Sequence, residues 1–184
     1  MPSEEKVLYL TFDDGPIPEV TEFVLNTLEK YRAKATFFCI GDNVSKYSSI
    51  FEKVRSQGHS IGNHTFNHLN GWQTVDKDYL ANITKCDLQL PVPTNLFRPP
   101  YGRIKLSQAK KLLPSKKIVM WDVLSGDFSP NISSERCLSK TIKHSVPGSI
   151  LLFHDSLKAK KNMEYTLPRV LEHFGNLDYT FQKL

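Results

Sequence analysis

Cysteine is scarce in this chain, with three in 184 residues. Cys39 lies in an apolar run and Cys86 and Cys137 in helical patterns, so three free thiols are expected, with no disulfide framework and no demand for an oxidising compartment. Long apolar runs are also absent. Nothing approaches the roughly 18 residues that span a bilayer. No charged-then-apolar leader precedes the first strand, so the cytoplasm is the slightly favoured compartment, although Met1-Pro2-Ser3 starts almost on top of that strand. Low-complexity tracts, internal repeats and linkers are missing too, and one domain over residues 1–184 is the default reading. The formal charge is only +5. Its lysines spread over Lys30–Lys34, Lys105–Lys117 and Lys158–Lys161, which reads as a solvated surface and not a nucleic-acid stripe, and no basic-aromatic motif accompanies them.

What is present is alternation. Short β-rich runs, at 7–12, 35–40, 60–63, 96–98, 118–123, 149–153 and 179–182, alternate with helical patterns at 20–31, 48–57, 78–90, 107–113, 133–144 and 163–173. Ser133 is a start signal for one helix, and Pro168 implies a kink or a later start in the last. Such alternation predicts parallel strands with helices outside. Seven strands suit a compact barrel, with an open doubly wound sheet as the rival. Either architecture gathers reactive groups at the carboxyl ends of the strands.

Reactive groups do fall there. The first strand runs into Asp13-Asp14-Gly15-Pro16, which is ordinary turn chemistry or a carboxylate pair at a site. The third runs into His64-Thr65-Phe66-Asn67-His68, whose histidines, four apart, would share one face of a helical turn and could share a metal. Two His and one carboxylate leave coordination positions open, as catalytic metal sites require. The fourth ends in Arg98-Pro99-Pro100-Tyr101-Gly102. Its prolines fix the backbone so that the Tyr101 amide is held at a defined angle, and Arg98 is suited to orienting a carboxylate. Further on come Trp121-Asp122, Asp127-Phe128 and His154-Asp155. His59, His144 and His173 lack metal-ligand company, and Asn43, Asn63 and Asn67 read as loop and turn residues.

These segments, in this order, resemble the polysaccharide deacetylases of the NodB-homology type, carbohydrate esterase family 4. The matches are Thr11-Phe12-Asp13-Asp14, His64 through His68, Arg98-Pro99-Pro100-Tyr101 and Leu152-Phe153-His154, spanning Leu8 to Asp155. The resemblance implies an α/β fold, a distorted (β/α)7 barrel, and a hydrolase that removes N-acetyl groups from a GlcNAc-containing carbohydrate. It implies Asp13 as general base, and Asp14, His64 and His68 as ligands of a divalent metal, Zn²⁺ first and Co²⁺ as an alternative. It further implies His154 as general acid partnered by Asp127, Arg98 orienting Asp13, the Tyr101 amide as oxyanion donor and Leu152 lining the acetyl pocket. Trp72 and Phe128 are candidates for stacking on a sugar ring.

One segment departs from the family pattern Asp-x-x-Asp-Trp, since Leu124 and Phe128 replace its first Asp and its Trp. Asp122 is the carboxylate available to compensate. Rival readings are an O-acetyl xylan esterase or small-molecule amidase on the same site, and a carbohydrate-binding pseudoenzyme.

Overall fold

Strand β1 (Val7–Asp13) is buried on both faces, and its alternation sorts its side chains. Leu8, Leu10 and Phe12 enter an apolar cluster outside the sheet, while Thr11 and Asp13 turn inward, both buried. The computed structural model describes residues 5–184. Around β1 stand β2 (Thr36–Cys39), β3 (Ser60–Asn63), β4 (Leu96–Phe97), β5 (Lys117–Ile118), β6 (Val123–Leu124), β7 (Ile150–His154) and β8 (Thr180–Gln182). All pairings are parallel, in the order β5-β4-β3-β2-β1-β7-β6, with β8 beside the first half of β1.

The seven α-helices among the described residues are α1 (Val20–Lys30), α2 (Gly41–Lys46), α3 (Ser48–Ser56), α4 (Asp76–Gln89), α5 (Leu106–Leu112), α6 (Ser134–His144) and α7 (Lys160–Gly175). The apolar stripe of α1 (Val20, Val24, Leu25, Leu28) and that of α7 (Met163, Leu167, Val170, Leu171) share the outer cluster with β1 and β7. Within it Phe12 stacks between Phe37 and Phe153, at centroid distances of 5.1 and 5.8 Å. Ser133 caps α6, accepting from the Arg136 amide.

The curled sheet is a distorted α/β barrel, as expected, but three expectations need correction. The run at 118–123 is two strands, β5 and β6, which do not pair, so the barrel stays open between them and the described residues form eight strands. Helix α2 was not foreseen, because its six residues include Gly41, Asp42, Asn43 and Ser45, all weak helix formers. Helix α7 begins at Lys160 and runs through Pro168, so the proline marks no later start.

The open seam has an occupant. Arg98 is fully buried, and its Nε and Nη2 donate to the carbonyls of Val119 and Met120 at 3.1 and 2.9 Å. Those carbonyls belong to the chain crossing from β5 to β6, so a guanidinium supplies donors where no neighbouring strand does. Its plane also rests 4.2 Å from the ring centroid of Phe38. A Cβ at Gly62 would come within 2.4 Å of that ring, so the glycine is what lets Phe38 sit beneath Arg98.

Candidate active site

Asp13 and His154 end neighbouring strands and are partners in the β1–β7 register. Asp13 Oδ1 accepts from Arg98 Nη1 at 2.8 Å, and the same nitrogen reaches Thr11 Oγ1 at 2.8 Å. The carboxylate is therefore aimed by a buried fixed charge.

Next to it, Asp14 Oδ1 lies 3.8 Å from His64 Nε2 and 3.3 Å from His68 Nε2. Ligand atoms of these three residues all fall within 4.8 Å of one another. Asp14 Oδ1 is buried and accepts no hydrogen bond, an orphaned acceptor facing two imidazole nitrogens. That donor set fits a divalent cation. Burial would raise the Asp14 carboxyl, but the imidazoles of His68, His154 and His64 facing it hold it well below the usual range. Burial lowers His64 in spite of the Asp13 and Asp14 charges, favouring the neutral ring that a ligand needs. His64 Nδ1 lies 2.8 Å from the Arg98 carbonyl. Since a carbonyl only accepts, Nδ1 carries the proton and Nε2 keeps its lone pair.

The His64–His68 segment is not the helical turn expected. Thr65 and His68 have φ of 64° and 60°, and an irregular loop brings the two rings to 5.1 Å. Asn63 and Asn82 hold it, with side-chain oxygens accepting from the amides of Thr65 and Phe66. Asn63 is thus a buried strand residue, bound also to Ile83 and Asp87, and the turn reading of it is corrected. Asp14 and Tyr101 also have left-handed backbones, φ 86° and 62°, so strain is concentrated at this site.

His154 leans on Asp127, whose Oδ1 lies 2.8 Å from its Nδ1 and whose Oδ2 accepts from its backbone amide at 2.8 Å. Burial would lower the imidazole, but the Asp127 charge and hydrogen bond, with Asp13 and Asp14, lift it to about 9. Phe128 meets His154 edge-on at 4.9 Å. The Tyr101 N–H donates to no acceptor among the described residues, and the Tyr101 hydroxyl lies 3.1 Å from His68 Nδ1.

Asp13, Asp14, His64, His68, Tyr101 and His154 border one cleft of about 590 Å³, lined also by Leu124, Phe128, Leu152, Trp121, Arg103 and Lys158, while Arg98 and Asp127 are buried behind it. Trp72 lies outside that lining, 59% exposed, with its indole N–H given to Ile104. One sequence expectation fails here. Asp122 does not stand in for the missing family Asp, because its carboxylate accepts from the Ile150 amide at the foot of β7. Sequence reasoning also gave Asp155 no role. It is buried, accepts from the Gly15 amide and the Thr21 hydroxyl, and so braces the loop that carries Asp14. Burial pushes its carboxyl up to about 8. Its position directly after His154 was the one available signal.

The family model for polysaccharide deacetylases matches residues 1–113. The chain belongs to the polysaccharide deacetylase family. The model match ends before Asp127 and His154, but relatives extend it. A peptidoglycan-N-acetylglucosamine deacetylase of Bacillus cereus is 34% identical over 160 residues, 84% of this chain and 58% of the relative's length. The chain thus spans little more than half of that relative. A chitooligosaccharide deacetylase of Azorhizobium caulinodans is 35% identical over 157 residues, 80% of this chain and 73% of that one. A crystal structure of a peptidoglycan N-acetylglucosamine deacetylase in complex with 4-naphthalen-1-yl-N-oxidanyl-benzamide superposes with a TM-score of 0.92. That match covers 100% of this chain and 88% of the other at 29% identity. The solved deacetylase has the curled parallel barrel seen in this chain.

Proposed function

We propose that residues 1–184 form one deacetylase domain that hydrolyses the N-acetyl group of a GlcNAc-containing glycan, of chitooligosaccharide or peptidoglycan type, with a divalent cation. One observation carries this reading: Asp13 and His154, each fixed by a buried partner, stand in a single cleft with the Asp14, His64 and His68 trio.

Asp14, His64 and His68 would hold the cation, and two imidazoles with one carboxylate favour Zn²⁺, with Co²⁺ as a substitute. When bound, such an ion supplies positive charge that acidifies water and polarises a carbonyl. The chain's own groups do the rest. Asp13, kept in place by Arg98, takes the proton of the attacking water. The unengaged Tyr101 amide donates to the developing oxyanion, a contribution worth about 3 kcal/mol in comparable sites. His154 holds a proton with Asp127 behind it and delivers it to the leaving amine nitrogen, which cannot depart without one. Leu152, almost fully buried at the cleft wall, meets the acetyl methyl, and Phe128 offers an apolar edge to the sugar.

The test is acetate release from GlcNAc oligomers, peptidoglycan fragments and acetylxylan by metal-stripped protein, with and without added Zn²⁺ or Co²⁺, alongside Asp13→Asn. Metal-restored turnover that Asp13→Asn abolishes is the expected result, and the preferred substrate separates amide from ester. Metal and glycan binding with no acetate released would instead make the chain a carbohydrate-binding pseudoenzyme. Full turnover by metal-free protein would overturn the mechanism.

A further inference from the structure

Two cations at the cleft have no charge partner. Arg103, just past the Arg98–Gly102 turn, and Lys158, four residues past His154, both line it. Each is exposed, and neither takes part in any ion pair or side-chain hydrogen bond among the described residues. Each sits instead over an aromatic ring. The Arg103 guanidinium is 5.1 Å from the Trp72 centroid, and the Lys158 ammonium is 5.6 Å from that of Phe128. A ring props a cation without cancelling its charge. Other surface cations nearby do find carboxylates, as Lys160 does with Glu19 and Lys105 with Asp76. The two charges therefore stay available at the mouth, one following β4 and the other following β7, on opposite sides of β1 in the sheet order.

A neutral glycan offers such cations only hydroxyl and carbonyl oxygens and leaves their charge uncompensated, and two unpaired cations beside one cleft cost self-repulsion. Carboxylates on the glycan would relieve both. We infer that the glycan deacetylated here is anionic, with Arg103 and Lys158 reading carboxylates on the sugars flanking the reacting one. This rests on the deacetylase reading above and narrows its substrate to acidic N-acetylated chains. Trp72 then has a role outside the cleft, as the support on which Arg103 is held. Phe128 supports Lys158 in the same way, at the position where the family pattern has Trp.

The experiment compares zinc-loaded wild type, Arg103→Gln, Lys158→Gln and the double variant on one acidic peptidoglycan-type oligomer and on its methyl ester, which differs only in charge. A third substrate lacking peptide stems shows whether the sugar or the peptide carboxylate is read. Wild type is expected to prefer the acid, chiefly through KM, and the ratio of kcat/KM for acid over ester should fall about tenfold in the double variant, the reach of two partly screened ion pairs. Raising the salt to about 0.5 M should shrink the wild-type ratio toward the variant's, as screening requires. An acid-to-ester ratio near one in wild type, or one that the double variant leaves unchanged, overturns the inference. Binding of the same acid and ester to zinc-loaded Asp13→Asn by calorimetry keeps the two readings apart. Acid-selective binding lost with Arg103 and Lys158 sustains this inference even if no acetate is released, while absence of turnover counts against the deacetylase reading alone.

Discussion

His59 and His64 bracket the same strand and are both buried, yet they do opposite things. His59 precedes β3 at the amino end of the sheet, where its Nδ1 accepts from the Ala35 amide at 3.2 Å. That bond forces the proton onto Nε2, which finds no partner, and leaves no lone pair for a metal. Its surroundings are cationic. Burial, then Lys34 and Lys183, push it down to about 4. His64, at the carboxyl end, meets a carbonyl instead of an amide, so its proton sits on Nδ1 and its Nε2 turns to Asp13 and Asp14 at 3.7 and 3.8 Å. The same side chain becomes a brace at one end of a strand and a candidate ligand at the other. Which backbone group its Nδ1 meets decides between them.

That contrast can be broken most forcefully at His64. His64→Ala should abolish tight zinc binding and reduce turnover by about 10³-fold or more, with the circular dichroism spectrum retained. If the variant keeps both metal and rate, the tautomer argument fails. Asp127→Asn comes next. It should cost on the order of 10²-fold in rate and bring the His154 titration down from about 9 in metal-free protein, read by imidazole NMR. Because His154 holds its proton above the ordinary 6.5, its pairing stabilises the fold fully below that pH and fades as pH rises through about 9. Asp127→Asn should flatten that part of the stability curve.

His59→Ala is the converse experiment. It should cost about 2–4 kcal/mol of stability, from a stranded Ala35 amide and a cavity beside Phe37, while the folded protein keeps its metal affinity. The smallest effect is on pH. With a folded value near 4 against 6.5, His59 contributes fully above pH 6.5, and that contribution is lost as pH falls through about 4. Urea midpoints at pH 7 and 4.5 for wild type and His59→Ala should therefore converge on the acid side.

The site was more legible than the wall around it. Asp13, Asp14, His64, His68 and His154 stand out because polar residues at the ends of short apolar strands are costly without a use, and parallel strands bring their carboxyl ends together, whereas the roles of Arg98 and Asp127 came through the family resemblance. The break between Ile118 and Val123 gave no such sign, since Val119, Met120 and Trp121 continue the apolar run while their backbone leaves the ladder. Nor did the sequence show that Trp72 stands outside the cleft lining, since the left-handed residues at 65 and 68 turn the loop that precedes it. Arg103 and Lys158 look like any surface cation in sequence. Their place at the mouth of the cleft, without an ion pair, distinguishes them, and that is a fact of three dimensions.

The seam between β5 and β6 gives Arg98 two tasks, because one rigid plane both fastens the wall at Val119 and Met120 and aims Asp13. Wall and base are thereby geared together. A movement of the crossing segment, driven by a glycan pressing on Trp121 or by a substitution at 119–122, passes to the carboxylate through a lever that cannot flex. Variation in that short stretch is therefore expected to tune reaction rate as well as substrate choice, and a search for altered activity should begin there.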